Sequence, residues 1–183
     1  MRRLFSFPNP VNDTSARLVA GGVVIMSLTT IVLGFFGQRM GLLPGPSHAA
    51  WWLTVVIAYG FVARVLTGPK LSPLGLLVTK VLTPALHRPV KAVPGPPKRF
   101  AQGVGVVFSV TAAVLALVYH AYAAAALALG FLVVAATLES VFAFCLGCSM
   151  FRALMRIGVI PEEVCVECNN IWARQRPTVG AGA

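Results

Sequence analysis

Four stretches of this 183-residue chain are so long and so apolar that a bilayer, not water, must be their surroundings. A helix needs about 20 mostly apolar residues to cross a hydrocarbon core ~30 Å thick. Leu18–Gly37 meets that need with Ser27, Thr29 and Thr30 as its only polar side chains. Ala49–Gly68 follows, with Arg64 near its end and Pro69 just beyond. Gly103–Tyr119 and Ala121–Phe144 are the third and fourth, joined through Tyr119-His120-Ala121-Tyr122 as a tight helical hairpin. Only 11% of the residues are charged, against about 25% in soluble domains, so an ordinary soluble fold is excluded. The 57% hydrophobic content excludes disorder. The expected fold is an all-α membrane protein of four transmembrane helices within residues 18–144. An arm, 1–17, precedes them; a Cys-rich helical tail, 145–176, and a disordered end, 177–183, follow.

The net charge of +10 is informative through its placement. Arg2, Arg3 and Arg17 precede the first span, Arg39 alone separates the first two, and none lies in the third hairpin. The link 69–102, with the end of span two, carries Arg64, Lys70, Lys80, Arg88, Lys91, Lys98 and Arg99; the tail carries Arg152, Arg156, Arg174 and Arg176. Cations are kept on the cytoplasmic side, which places both termini and the long link in the cytoplasm. Nucleic-acid binding is not needed to explain the charge. The basic start resembles a secretory signal, but its apolar run begins late, is too long, and lacks a small-residue cleavage site, so it reads as a retained span.

Asn12-Asp13-Thr14 matches a glycosylation sequon, yet on a cytoplasmic arm Asp13 or Thr14 is expected to cap span one. In the link, Leu71, Leu74, Leu77, Val78, Val81 and Leu82 follow helical spacing and predict a short interfacial amphipathic helix. The Pro-rich basic run Arg88–Arg99 is expected to be a loop. It serves either as a topology determinant or as a surface for a partner or anionic lipid. Trp51 and Trp52, with Tyr119 and Tyr122, form the outer aromatic belt.

Chemistry concentrates at Cys145-Leu146-Gly147-Cys148 and Cys165-Val166-Glu167-Cys168, spaced C-x2-C-x16-C-x2-C. That gap falls within the roughly 15–20 residues of four-cysteine zinc sites, where paired thiolates share one tetrahedral ion. In the reducing cytoplasm structural disulfides are rare. Three readings stand open: a Cys145/Cys148/Cys165/Cys168 site for zinc, or less readily iron; two dithiols exchanging electrons with a thioredoxin-like partner or with each other; or buried thiols acting as small hydrophobes. Gly147 is read as permitting a tight turn. A helix Ser149–Ile157 closed by Gly158, and a second starting at Pro161, would bring the pairs together.

Glu139 is the one acid within a span, and burying it demands a partner. Arg64 matches its depth and Arg17 is the alternative. On a continuous helix Glu139 would point roughly 120° away from Cys145, which favours a structural ion pair over proton handling at the thiols. No phosphate-binding loop, dinucleotide fingerprint, zinc-protease or hydrolase motif occurs. The sparse polar content of the spans and the lack of repeats disfavour a small-solute permease.

Four segments carry a resemblance: Val11-Asn12-Asp13-Thr14-Ser15-Ala16-Arg17; Gly68-Pro69 with Ser72-Pro73; Pro96-Pro97-Lys98-Arg99-Phe100-Ala101-Gln102; and Leu138-Glu139 with Phe144-Cys145-Leu146-Gly147-Cys148. Together they resemble a bacterial inner-membrane family classed only as a domain of unknown function, over nearly the whole chain. Members are often encoded beside thioredoxin-like or rhodanese-like proteins. The resemblance implies a role in thiol or sulfur metabolism, with such a protein or a larger membrane complex as partner at the cytoplasmic face, and it points to Cys145 and Cys148. The alternative is a non-enzymatic membrane scaffold or subunit whose tail is held by zinc.

Overall fold

The computed structural model describes residues 11–37, 47–86 and 92–165. Four helical segments are long and apolar enough to cross a membrane, and the protein is an all-α integral membrane protein. The first span is α1 (Asp13–Phe36), the third α5 (Gly95–Leu117) and the fourth α6 (Tyr122–Phe142). At ~1.5 Å per residue each exceeds the ~30 Å core. The second, α2 (Leu53–Thr67), would reach only ~22 Å alone. A 3-10 turn, Ser47–Trp52, extends it by ~12 Å.

Between α2 and α5 lie α3 (Pro73–Leu77), a π-turn (Val78–Leu82) and α4 (Thr83–Ala85), effectively one short helix. Pro84 cannot donate to the carbonyl four residues back, and the wider turn relieves that conflict. Gly68, at φ 67°, reverses the chain after α2, and Ser72 then caps α3. The helix is less superficial than its apolar stripe suggests. Leu74 seats against Gly22, well inside α1, Val78 is 1% exposed, and Ser15 bonds Thr83 at 3.0 Å. Leu71, Leu77 and Val81 face outward, where lipid would cover them.

The helices form a ring in which α1 packs on α6, α6 on α5, and α5 on α2. Small residues let them approach. On α5 the buried stripe is Gly105, Ser109, Ala112 and Ala116, and a Cβ at Gly105 would lie 2.2 Å from the Phe61 ring. On α6 it is Ala125, Ala128, Leu129, Leu132 and Ala136. Such stripes favour close packing where lipid offers no hydrophobic drive between helices. Thr30, Thr67 and Ser109 return their hydroxyls to carbonyls four residues back.

Three expectations change. Trp51 is 1% exposed, stacked on Tyr122 at 5.4 Å and edge-on to Phe35, so it belongs to the core; Trp52 alone of the pair faces outward. Asn12, not Asp13 or Thr14, caps α1, accepting from the Thr14 N–H at 3.0 Å. Lastly, the end of the Pro-rich basic run is helical. Pro96 and Pro97 occupy the first turn of α5, where no N–H is required of them, and this brings Lys98 into the bundle. A two-residue antiparallel bridge, Val11 with Val93 and Asn12 with Ala92, ties the start of α1 to the approach of α5.

Candidate functional site

The fourth span ends at Phe142 because Ala143 turns left-handed (φ 56°, ψ 21°), its N–H and that of Phe144 both returning to the Leu138 carbonyl. Cys145 is extended and becomes the N-cap of a new helix, α7 (Leu146–Arg156). Its sulfur accepts the Cys148 backbone N–H at 3.4 Å, the role that Ser or Asp usually fills. The helix break removes the continuous-helix geometry that set Glu139 apart from Cys145.

Gly147 is a packing residue rather than a turn. A Cβ there would lie 2.6 Å from the Ala101 Cα, so α7 can press against α5 only with glycine at this position. Phe151 and Met155, one and two turns on, bury the same face beside Phe100 and Cys165. Gly158 is left-handed and closes the helix, as its position predicts. A 3-10 turn, Glu162–Cys165, stands after Pro161.

Cys145 and Cys148 carry free, half-buried thiols. The two titrate apart. Hydrogen bonding from the Cys148 S–H lowers Cys145 most, aided by Lys98 and the Cys148 N–H and opposed by burial and by Glu139. Cys148 is raised, first by donating to Cys145 and then by burial. The first cysteine is thus the more acidic of the two, and the second holds its proton longer.

Beside them sits an ionic cluster. Lys98 Nζ lies 2.7 Å from Glu139 Oε1 and 3.1 Å from Asp13 Oδ1, joining α1, α5 and α6 through one ammonium. Glu139 is therefore partnered, but by Lys98 and not by Arg64 or Arg17, since the start of α5 inside the Pro-rich run puts an ammonium at its depth. Arg17 instead donates to the Ser140 and Val141 carbonyls and caps α6. Arg99 does the same for α2 at the Val65 carbonyl. Arg64 interacts with Glu139 through space, yet its Nε bonds the Gly60 carbonyl at 2.9 Å and its guanidinium lies 4.3 Å over the Phe61 ring. Lys98 and Asp13 were not singled out as site residues from sequence. The signal for Lys98 was Pro-Pro immediately before it, a helix start.

Of the second pair, Cys165 is disulfide-bonded and Cys168 lies outside the described residues. Among the described residues no group of three or more His, Cys, Asp or Glu is placed to hold a metal. A four-thiolate zinc or iron site would require Cys168 and a reduced Cys165.

A family model described as a domain of unknown function (DUF4395) matches residues 11–156, from the bridge at Val11 to the last residue of α7. The chain belongs to this family. The matched region takes in Asp13, Lys98, Glu139, Cys145 and Cys148, and stops short of Cys165. No curated protein and no solved structure matches the chain.

Proposed function

We propose that the protein is a thiol–disulfide exchange component of the bacterial inner membrane, working at the cytoplasmic face, with Cys145 as the attacking thiolate and Cys148 as the resolving thiol. The observation that carries this reading is the position of Cys145 as N-cap of α7, its sulfur receiving the Cys148 N–H. Helix N-termini favour a thiolate through their free N–H groups and dipole. The cation distribution supports the cytoplasmic orientation.

In the forward direction the Cys145 thiolate attacks one sulfur of a partner disulfide, forming a mixed disulfide and releasing the other sulfur as a thiolate. Cys148 then loses its proton, attacks the Cys145 sulfur and expels the partner's second thiolate. Two electrons pass to the partner, and a Cys145–Cys148 disulfide remains; the reverse steps reduce it. The family resemblance supports a thioredoxin-like or rhodanese-like protein as that partner.

The test is a glutathione redox titration of the detergent-purified full chain, read by mass-tagged alkylation. A two-electron couple abolished by Cys145→Ser or Cys148→Ser is expected, with a mixed disulfide to a thioredoxin-like protein accumulating only in Cys148→Ser. Absence of any Cys145–Cys148 disulfide across the titration removes the proposal. Elemental analysis decides the competing scaffold reading: one zinc per chain, lost on Cys145→Ser, would move these thiols to a structural site.

A further inference from the structure

Arg64 is 6% exposed in the membrane bundle, and among the described residues only its Nε has an acceptor, the Gly60 carbonyl. Among the described residues no carboxylate lies within ion-pair distance of it, and the acid it senses, Glu139, is already bonded to Lys98. Arg64 lines a cavity of about 200 Å³ between α1, α2, α3 and α5, the room of roughly half a dozen waters at ~30 Å³ each. A buried guanidinium with idle donors is costly. It is satisfied by a guest with oxygen acceptors and negative charge.

We propose that this cavity binds a phosphate-type oxyanion, gripped by the Arg64 fork. The planar fork of arginine matches two oxygens of such a group. Lys98 reaches the same cavity but is held by two carboxylates, so Arg64 supplies the charge. Two sources carry this chemistry: free hydrogen phosphate, and the phosphate of phosphatidylglycerol. Arg64 also lines a second, apolar cavity of about 280 Å³ with Val23, Met26 and Leu77, where an acyl chain would fit. The proposal does not rest on the dithiol reading.

Two measurements on the detergent-purified full chain test it. Calorimetric titration with inorganic phosphate probes the free ion; native mass spectrometry with phosphatidylglycerol against phosphatidylcholine probes the lipid. One-to-one binding in either arm is expected, weakened at least tenfold by Arg64→Gln and by Arg64→Lys, which keeps the charge but loses the fork. Exposed Arg152→Ala leaves it unchanged. Phosphate binding assigns the free ion; selective retention of phosphatidylglycerol assigns the headgroup. Binding in neither arm, or binding equal in wild type and both well-folded Arg64 variants, overturns the proposal.

Discussion

Replacing Lys98 with methionine should be among the most damaging single changes in this protein. The Asp13 and Glu139 oxygens touch one nitrogen, so they lie within about 6 Å of each other. Without the ammonium they repel by ~3 kcal/mol at an effective dielectric of ~20. Their side chains are 14% exposed, so water restores little. Methionine replaces the lysine stem, which keeps packing out of the comparison. Removing one partner of a buried ion pair costs about 3–5 kcal/mol, and Lys98→Met should fall in that range by unfolding in mixed detergent micelles. Replacing the whole cluster, Asp13→Asn with Lys98→Met and Glu139→Gln, leaves no charge uncompensated and should recover most of the loss. A single variant within ~1 kcal/mol of wild type, or a triple variant no better than the single, would refute the argument. The same variants reach the thiols. Lys98 lowers the Cys145 pKa and Glu139 raises it, so alkylation of Cys145 at neutral pH should slow in Lys98→Met and quicken in Glu139→Gln.

Gly147→Ala forces α7 off α5 by ~1 Å; overpacking costs about 1–3 kcal/mol, against up to ~1 regained in helix propensity, and a thermal midpoint in detergent equal to wild type would rule out the close approach to Ala101. Ala143→Gly removes the strain of a left-handed alanine and should stabilise by ~0.5–1 kcal/mol, measured in the same melts. Cys145 alkylation should reach half its maximal rate below the ordinary thiol value of about 8.5, and Cys148→Ala should move that midpoint up by removing the largest lowering cause. In stability the depressed Cys145 contributes fully above the unfolded thiol pKa and loses that contribution as pH falls through its folded value. Cys148, raised, contributes below the unfolded value and loses it as pH climbs. Stability of the reduced protein should therefore climb as pH rises from the Cys145 folded pKa, peak near about 8.5 and fall above it, and a maximum absent from melts of the reduced form would count against the paired assignment.

The four spans were legible because ~20 apolar residues have few other uses, and the α7 helix because Gly158 marks its end. Which apolar side chains face the core was not legible. Lipid and protein interior are equally apolar, so nothing in Trp51-Trp52 says that the first stacks on Tyr122 while the second faces outward. The break at Ala143 carried no glycine or proline signal. It hid the capping role of Cys145, which depends on a helix starting there. The need of Glu139 for a cation was foreseeable from the cost of burying charge, whereas its choice of Lys98 turned on whether Pro96-Pro97 ended a loop or began a helix.

The inserted helix after Gly68 bears on biogenesis. Its seat is built by a segment made much earlier in the chain: Gly22 receives Leu74 and Ser15 receives Thr83. Residues 73–85 can take their seat only once α1 is in place. Insertion of this protein is thus ordered by its own packing, and a chain deprived of α1 would leave the helix stranded at the membrane surface for quality-control proteases to find.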